Sequence, residues 1–215
     1  MMLLLLDLDD TLIDDRSAMR GAFEAFLAFH GPVLQEVEDP LKLWREVSQR
    51  HWIRFERGEV TFQEQRRARV RDFLGQPFTD AEADAAFEPY RQAYEAAWSL
   101  FPEVPEFLSR AASWTKVLIT NGEREQQRLK VRRVGLDPHI ADIITPMDCG
   151  AWKPDPRIFQ EALERHGASR TEAIMIGDDE RRDIEPAARL GLRTFRVDAS
   201  DPERTLLKAL EGLSL

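Results

Sequence analysis

Apolar runs that break off abruptly at charged or turn-forming residues constrain this chain more than any other feature. Leu3-Leu4-Leu5-Leu6 stops at Asp7. Similar runs occupy Lys116–Thr120, Ile140–Thr145 and Ala173–Gly177, with a weaker one at Arg193–Val197. A strand without polar alternation is covered on both faces, as in a parallel sheet, whereas a half-exposed strand alternates. Helical spacing separates the runs. Phe159, Ala162, Leu163 and His166 share one face ahead of Gly167, and Ile184, Ala187, Ala188 and Leu190 share another ahead of Gly191. Strand–helix alternation of this kind builds a doubly wound parallel α/β sheet with right-handed crossovers. The weaker fifth run belongs nearer an edge.

One stretch departs from the alternation. From about residue 15 to 98 every pattern is helical: Met19, Phe23, Phe26 and His30 form one stripe, and Leu41, Trp44, Ser48, Trp52 and Phe55 another. Two more helices are expected at 62–74 and 81–98, with breaks at Gly58 and Gly75–Pro77. The expected organisation is a core of residues 1–14 and 99–215 with an all-helical cap of residues 15–98.

With 215 residues, 43% of them hydrophobic, the chain can bury one core and a smaller inserted one. Its net charge of −9 argues against binding nucleic acid or an anionic membrane. Cys149 is the only cysteine, so no internal disulfide forms, which fits a reducing compartment. The opening apolar run lacks a basic flank and is too short for a signal sequence or a membrane span. The expectation is a cytoplasmic monomer or homodimer.

In an open α/β sheet, ligands bind beyond the carboxyl ends of the strands. The polar residues of this chain cluster there: Asp7-Leu8-Asp9-Asp10-Thr11-Leu12 after the first run, Thr120-Asn121-Gly122 at the end of the second, Lys153-Pro154-Asp155-Pro156 after the third, and Gly177-Asp178-Asp179-Glu180 with Asp183 after the fourth. Singly, each has an ordinary reading as a turn, a helix cap or a solvated lysine. Their joint occurrence in order, each at a strand end, does not. Gathered carboxylates need a positive partner, and Mg²⁺ takes oxygen ligands from one or two carboxylates plus phosphate and water. Asp7 and Asp178 are the side-chain candidates. Thr120 offers a hydroxyl donor and Lys153 a positive charge, as phosphoryl transfer requires.

The set DLDDTL, TNG, KPDPRIF and GDDERRD resembles, in order and over essentially the whole chain, the four motifs of the haloacid dehalogenase superfamily. The helical insert looks like its type-1 cap, and the sheet like its Rossmann-like core. The resemblance implies a Mg²⁺-dependent phosphatase acting on small phosphorylated metabolites. Asp7 would be the nucleophile and a Mg²⁺ ligand. Asp9 would be the acid/base, with its backbone carbonyl facing the metal. Thr120, Asn121, Gly122 and Lys153 would hold the phosphoryl group. Asp178 would ligate Mg²⁺, with Asp179 and Asp183 in outer positions whose relative importance stays open. Asp9 argues against a dehalogenase, because the superfamily's dehalogenases lack an acid there. A phosphotransferase or phosphomutase shares all four motifs, and a non-catalytic binding protein of the same fold is the remaining alternative. Within the superfamily, the ITNG and KPDPRIF motifs together with a helical cap look most like small-molecule phosphatases, including pyrimidine nucleotidases and phosphoglycolate-type enzymes.

Two features have no fixed reading. Between Lys42 and Arg71 there are nine basic and four acidic residues, with Trp44, His51 and Trp52 among them. They form either a substrate-recognition face or a solvated helix surface over a packed core, and amphipathic helices commonly look like the second. Trp152 stands directly before Lys153, where the family pattern has a small residue. It would narrow the pocket or stack on substrate.

Overall fold

The computed structural model describes residues 2–31, 37–199, 201 and 206–211. After β1 (Leu3–Leu6) come α1 (Asp15–His30), α2 (Pro40–Glu56), α3 (Phe62–Leu74) and α4 (Asp80–Ala96). The chain continues through α5 (Val104–Arg110), β2 (Thr115–Ile119), α6 (Arg124–Arg133), β3 (Asp142–Ile144), α7 (Pro146–Cys149) and α8 (Pro156–Arg165). It ends with β4 (Ala173–Gly177), a π-helical turn (Glu180–Ile184), α9 (Glu185–Arg189), β5 (Arg193–Arg196) and α10 (Lys208–Glu211). These elements form two compact units, Met1–Asp15 with Trp98–Leu215, and Arg16–Ala97.

In the first unit the strands form one parallel sheet in the order β3-β2-β1-β4-β5. β1 is central, with Leu3 in register with Thr115 on one side and Ala173 on the other. Its four leucines are buried because each face of the sheet carries a separate core. Leu4 and Leu6 pack with Phe107, Leu118, Ile174 and Ile176, while Leu3 and Leu5 pack with Val117, Ile119, Phe159 and Met175. This two-sided cover explains the unbroken apolar runs. β5 is one of the two edge strands, and its arginines are exposed. β3 is shorter than its apolar run: Ala141 is tied to the sheet by one bond, its N–H donating to the Lys116 carbonyl.

The second unit buries an aromatic core. Phe26 stacks among Trp44, Phe73 and Tyr90 with ring centroids 5.0, 5.7 and 6.3 Å away. α3 and α4 each start at a reciprocal capping box, Thr61 with Glu64 and Thr79 with Glu82, which satisfies amide donors left open by the first helical turn. Among the described residues no helix is long and apolar enough to cross a membrane.

Candidate active site

β1 delivers Asp7 to the carboxyl edge of the sheet, where its N–H still bonds the Ile176 carbonyl of β4. The chain then turns tightly. Asp10 takes a left-handed conformation (φ 62°), which aspartate tolerates better than most residues, and the Leu12 and Ile13 amides both return to the Leu8 carbonyl. That turn brings Thr11 Oγ1 to 2.9 Å from Asp7 Oδ2. On the other side, buried Lys153 donates from Nζ to Asp7 Oδ1 at 2.6 Å and to Asp183 Oδ1 at 2.7 Å. Burial works against the Lys153 charge, but Asp183 and Asp7 outweigh it and hold the ammonium protonated. The Asp7 carboxyl is pushed well above the ordinary carboxylate range, by burial first and also by Asp183, Asp178 and Asp9, with Lys153 opposing.

Oxygen atoms of Asp7, Asp178 and Asp183 all lie within 4.8 Å of one another, the one such group of potential metal ligands found among the described residues. Three carboxylates against the Lys153 ammonium leave a formal charge of about −2, and all the donors are hard oxygens. This set fits a divalent cation such as Mg²⁺. Asp183 is brought in by the π-helical turn, whose wider winding bonds both the Asp183 and Ile184 amides to the Asp179 carbonyl. It also needs Gly177: a Cβ there would stand 2.3 Å from Asp183 Oδ2. Asp179 does a different job. Its carboxylate accepts from the Arg181 and Arg182 amides at 2.9 and 3.0 Å and caps that turn. Of the two acids that the sequence left unranked, Asp183 sits with Asp7 and Asp178.

The Asp9 carboxylate is held apart from this trio. Lys130 Nζ donates to Asp9 Oδ1 at 2.5 Å and to Asp15 Oδ1 at 2.6 Å, and Gln127 Nε2 donates to Asp9 Oδ2 at 2.8 Å. Gln127 also donates to Thr120 Oγ1 at 2.9 Å, and the Gly122 amide donates to the same oxygen at 3.0 Å. Both acceptor positions of the Thr120 hydroxyl are thus used, and its hydrogen is left to donate to a ligand. A Cβ on Gly122 would overlap Gln127, so the glycine of the TNG motif makes room for that side chain. Asn121 clamps the lysine loop: its Nδ2 donates to the Lys153 carbonyl at 2.8 Å, and its Oδ1 accepts from the Lys153 amide at 2.7 Å.

Sequence reasoning missed Thr11, Gln127, Lys130 and Asp15. Gln127 and Lys130 lie one turn apart on the face of α6 that also buries Val131, and polar residues on an apolar helical face were the available signal. The basic stretch of the second unit is largely paired internally. Arg67 bonds Asp80 and Asp84, Arg71 bonds Asp80, and Arg50 and buried His51 both bond Asp72. Trp44 lies in the core there, and Trp52 packs on Phe55 and Phe62. Cys149 is half-buried, and burial raises its thiol pKa. Trp152 is half-buried, and its carbonyl accepts from the Asp155 amide at 2.7 Å.

A parallel sheet with acids, a lysine and a hydroxyl gathered at its carboxyl edge defines the class. The chain belongs to the haloacid dehalogenase-like hydrolase family, whose model matches residues 1–191, and it is therefore a hydrolase. It is 32% identical to the phosphoserine phosphatase of Thermus thermophilus over 94% of this chain and 92% of that protein. Among solved structures it resembles the magnesium-bound HAD-hydrolase YfnB of Bacillus subtilis (TM-score 0.73, 26% identity, 90% of this chain and 86% of that one). It also resembles a 2-haloacid dehalogenase from Pseudomonas syringae pv. Tomato (TM-score 0.70, 28% identity, 100% of both chains).

Proposed function

We propose that the chain is a Mg²⁺-dependent phosphatase that hydrolyses phosphate monoesters of small metabolites through an aspartyl-phosphate at Asp7. The observation that carries this reading is the Asp7 carboxylate held between Thr11 and Lys153, with a second carboxylate, Asp9, anchored separately two residues on. An Asp7 oxygen attacks phosphorus, forming the acyl-phosphate bond as the bond to the leaving oxygen breaks. Asp9 gives that oxygen its proton. Water then attacks the phosphoryl group, Asp9 takes the proton back, and inorganic phosphate leaves with Asp7 restored. The Thr120 hydroxyl, the Asn121 amide and the Lys153 ammonium bind the phosphoryl oxygens, while Gly122 supports that set through its amide's bond to Thr120 Oγ1. Asp7, Asp178 and the Asp9 carbonyl would hold Mg²⁺, with Asp183 added to the inner set and Asp179 left outside it. The metal would supply positive charge against the phosphoryl oxygens. The helical unit is the cap, and substrates with the chemistry of phosphoserine, phosphoglycolate or nucleoside monophosphates are the candidates. The setting is cytoplasmic.

A second reading, dehalogenation, is favoured by the full-length likeness to the Pseudomonas enzyme. Asp9 tells against it, because an ester hydrolysed by water needs no acid for a leaving alcohol. Both readings meet in one assay. Wild type with Mg²⁺ should release inorganic phosphate from an aryl phosphate, chelation should silence it, and Ca²⁺ should restore it poorly. Asp7→Asn should lose turnover with an unchanged circular dichroism spectrum. Halide release from 2-chloropropionate, with no phosphate release from any monoester, would overturn the phosphatase reading.

A further inference from the structure

Asp9 and Thr120 follow the neighbouring strands β1 and β2, and one side chain bonds both. Gln127, near the start of α6, is almost wholly buried. Its Nε2 carries two hydrogens, and both are spent, one on Asp9 Oδ2 at 2.8 Å and one on Thr120 Oγ1 at 2.9 Å. An ionised carboxylate only accepts, so Asp9 fixes which way round the carboxamide lies. The Gln127 carbonyl oxygen is then enclosed, with no donor to it among the described residues.

A buried carbonyl oxygen that accepts nothing loses its hydration uncompensated, and an apolar side chain of the same length would avoid that loss. Packing alone therefore does not account for a glutamine here. Gly122 points the same way, since a Cβ there would overlap the Gln127 carboxamide and the phosphoryl-binding loop leaves room for it. Phosphoryl transfer supplies the reason. While one phosphoryl oxygen rests on the Thr120 hydroxyl, Asp9 must reach the leaving oxygen on the same phosphorus. A misplacement of about 1 Å in such a pair costs about a hundredfold in rate. One nitrogen touching both groups sets their spacing. Lys130, one turn further along α6, holds the other Asp9 oxygen at 2.5 Å and so fixes the plane of the carboxylate. A carboxylate offers about four acceptor positions, so these two donors leave room for the proton that passes to the substrate.

Building on the phosphatase reading, we infer that Gln127 is a positioning residue for the hydrolysis, locking the acid/base Asp9 at a fixed spacing from the phosphoryl-binding hydroxyl of Thr120.

Gln127→Met keeps the size of the side chain and removes both donors. The measurement is kcat/KM with Mg²⁺ over a series of substituted phenyl phosphates. Nitrophenolate departs with little help from an acid, whereas phenolate needs its proton. The variant should lose about threefold on 4-nitrophenyl phosphate and about thirtyfold on phenyl phosphate, so the dependence on leaving-group basicity steepens. Inhibition by inorganic phosphate should weaken about fivefold, because the Thr120 hydroxyl is no longer aimed. The melting temperature should equal or exceed that of the wild type, since the unmatched oxygen is gone. Gln127→Asn, one methylene too short to reach both acceptors, should steepen the series as well, so the result does not hang on one variant's folding. A wild-type slope in both variants would overturn the inference. So would an equal loss on every ester with a lower melting temperature, which marks a structural residue. A steeper slope with unchanged phosphate inhibition would overturn the link to Thr120. A wild type that releases phosphate from none of these esters would sink the phosphatase reading and the inference together, whereas active variants of unchanged slope sink the inference alone.

Discussion

A buried lysine between two carboxylates is stable only while its charges stay together, and Lys130 is in that position. Its ammonium lies between Asp9 and Asp15 and under the Trp98 ring, so little water reaches it. Lys130→Met would strand the nearly buried Asp15 carboxylate and release Asp9. Breaking a buried pair this way costs about 3–5 kcal/mol, which lowers the melting temperature by roughly 10 °C in a chain of this size. Adding Asp15→Asn should recover part of that loss, since the stranded charge is then gone. On an aryl phosphate kcat should also fall in the single variant, because Asp9 loses one of its two anchors. Unchanged melting in Lys130→Met would refute this account. The sequence announced Asp7 and Asp9 because they follow directly on an apolar run, and Lys153 because it opens the KPDPRIF motif that comes after the third run. It did not announce Lys130, which lies within a helix rich in arginine and lysine. There the one buried ammonium looks like its solvated neighbours, and only its spacing from Gln127 and Val131 sets it apart.

At the scale of elements, the parallel sheet was legible because two-sided burial leaves strands without alternation. The π-helical turn after β4 was not. Ile184, Ala187, Ala188 and Leu190 fit an ordinary helix, and apolar spacing alone does not report one extra residue in the winding. That extra residue turns Asp183 inward onto Lys153, and Gly177 leaves the space for it. Gly177→Ala tests the coupling between strand end and turn. The added methyl would have to displace the short, buried Asp183 side chain, whose Cβ is only 2.7 Å from the new atom, so no flexible end can yield. Overpacking of this kind costs about 1–3 kcal/mol. The variant should therefore melt lower and also need more Mg²⁺ for half-maximal phosphate release. A variant that is less stable but keeps the wild-type Mg²⁺ dependence would show that Asp183 is not an inner ligand.

For the whole molecule, the distribution of charge explains why the basic stretch looked like a recognition surface. A window ending at Arg71 stops one residue before Asp72 and well short of Asp80 and Asp84, and these acids take up Arg50, Arg67 and Arg71 only after the chain has folded back. Local counting could not include them. Asp84 is the clearest case. It accepts two bonds from Arg67, at 2.8 and 2.6 Å, and one from Gln63 at 2.6 Å. Hydrogen bonding from Arg67 is the main reason its pKa lies below the ordinary carboxylate value, against a smaller opposing effect of burial. Because the folded value is depressed, the stabilisation is complete above the unfolded pKa of about 3.9 and is lost as the pH falls through the folded value. Asp84→Asn should thus lower the melting temperature at pH 7 and make progressively less difference below about pH 4, until the two curves meet. The pair is partly exposed, so screening keeps the pH 7 effect to about 1 kcal/mol or less, roughly 2–4 °C. High salt should shrink it further. Thermal melts of the two proteins from pH 7 down to pH 3 decide the matter. If the gap between them stays constant or widens on acidification, the Arg67–Asp84 pair is not what holds α3 to α4.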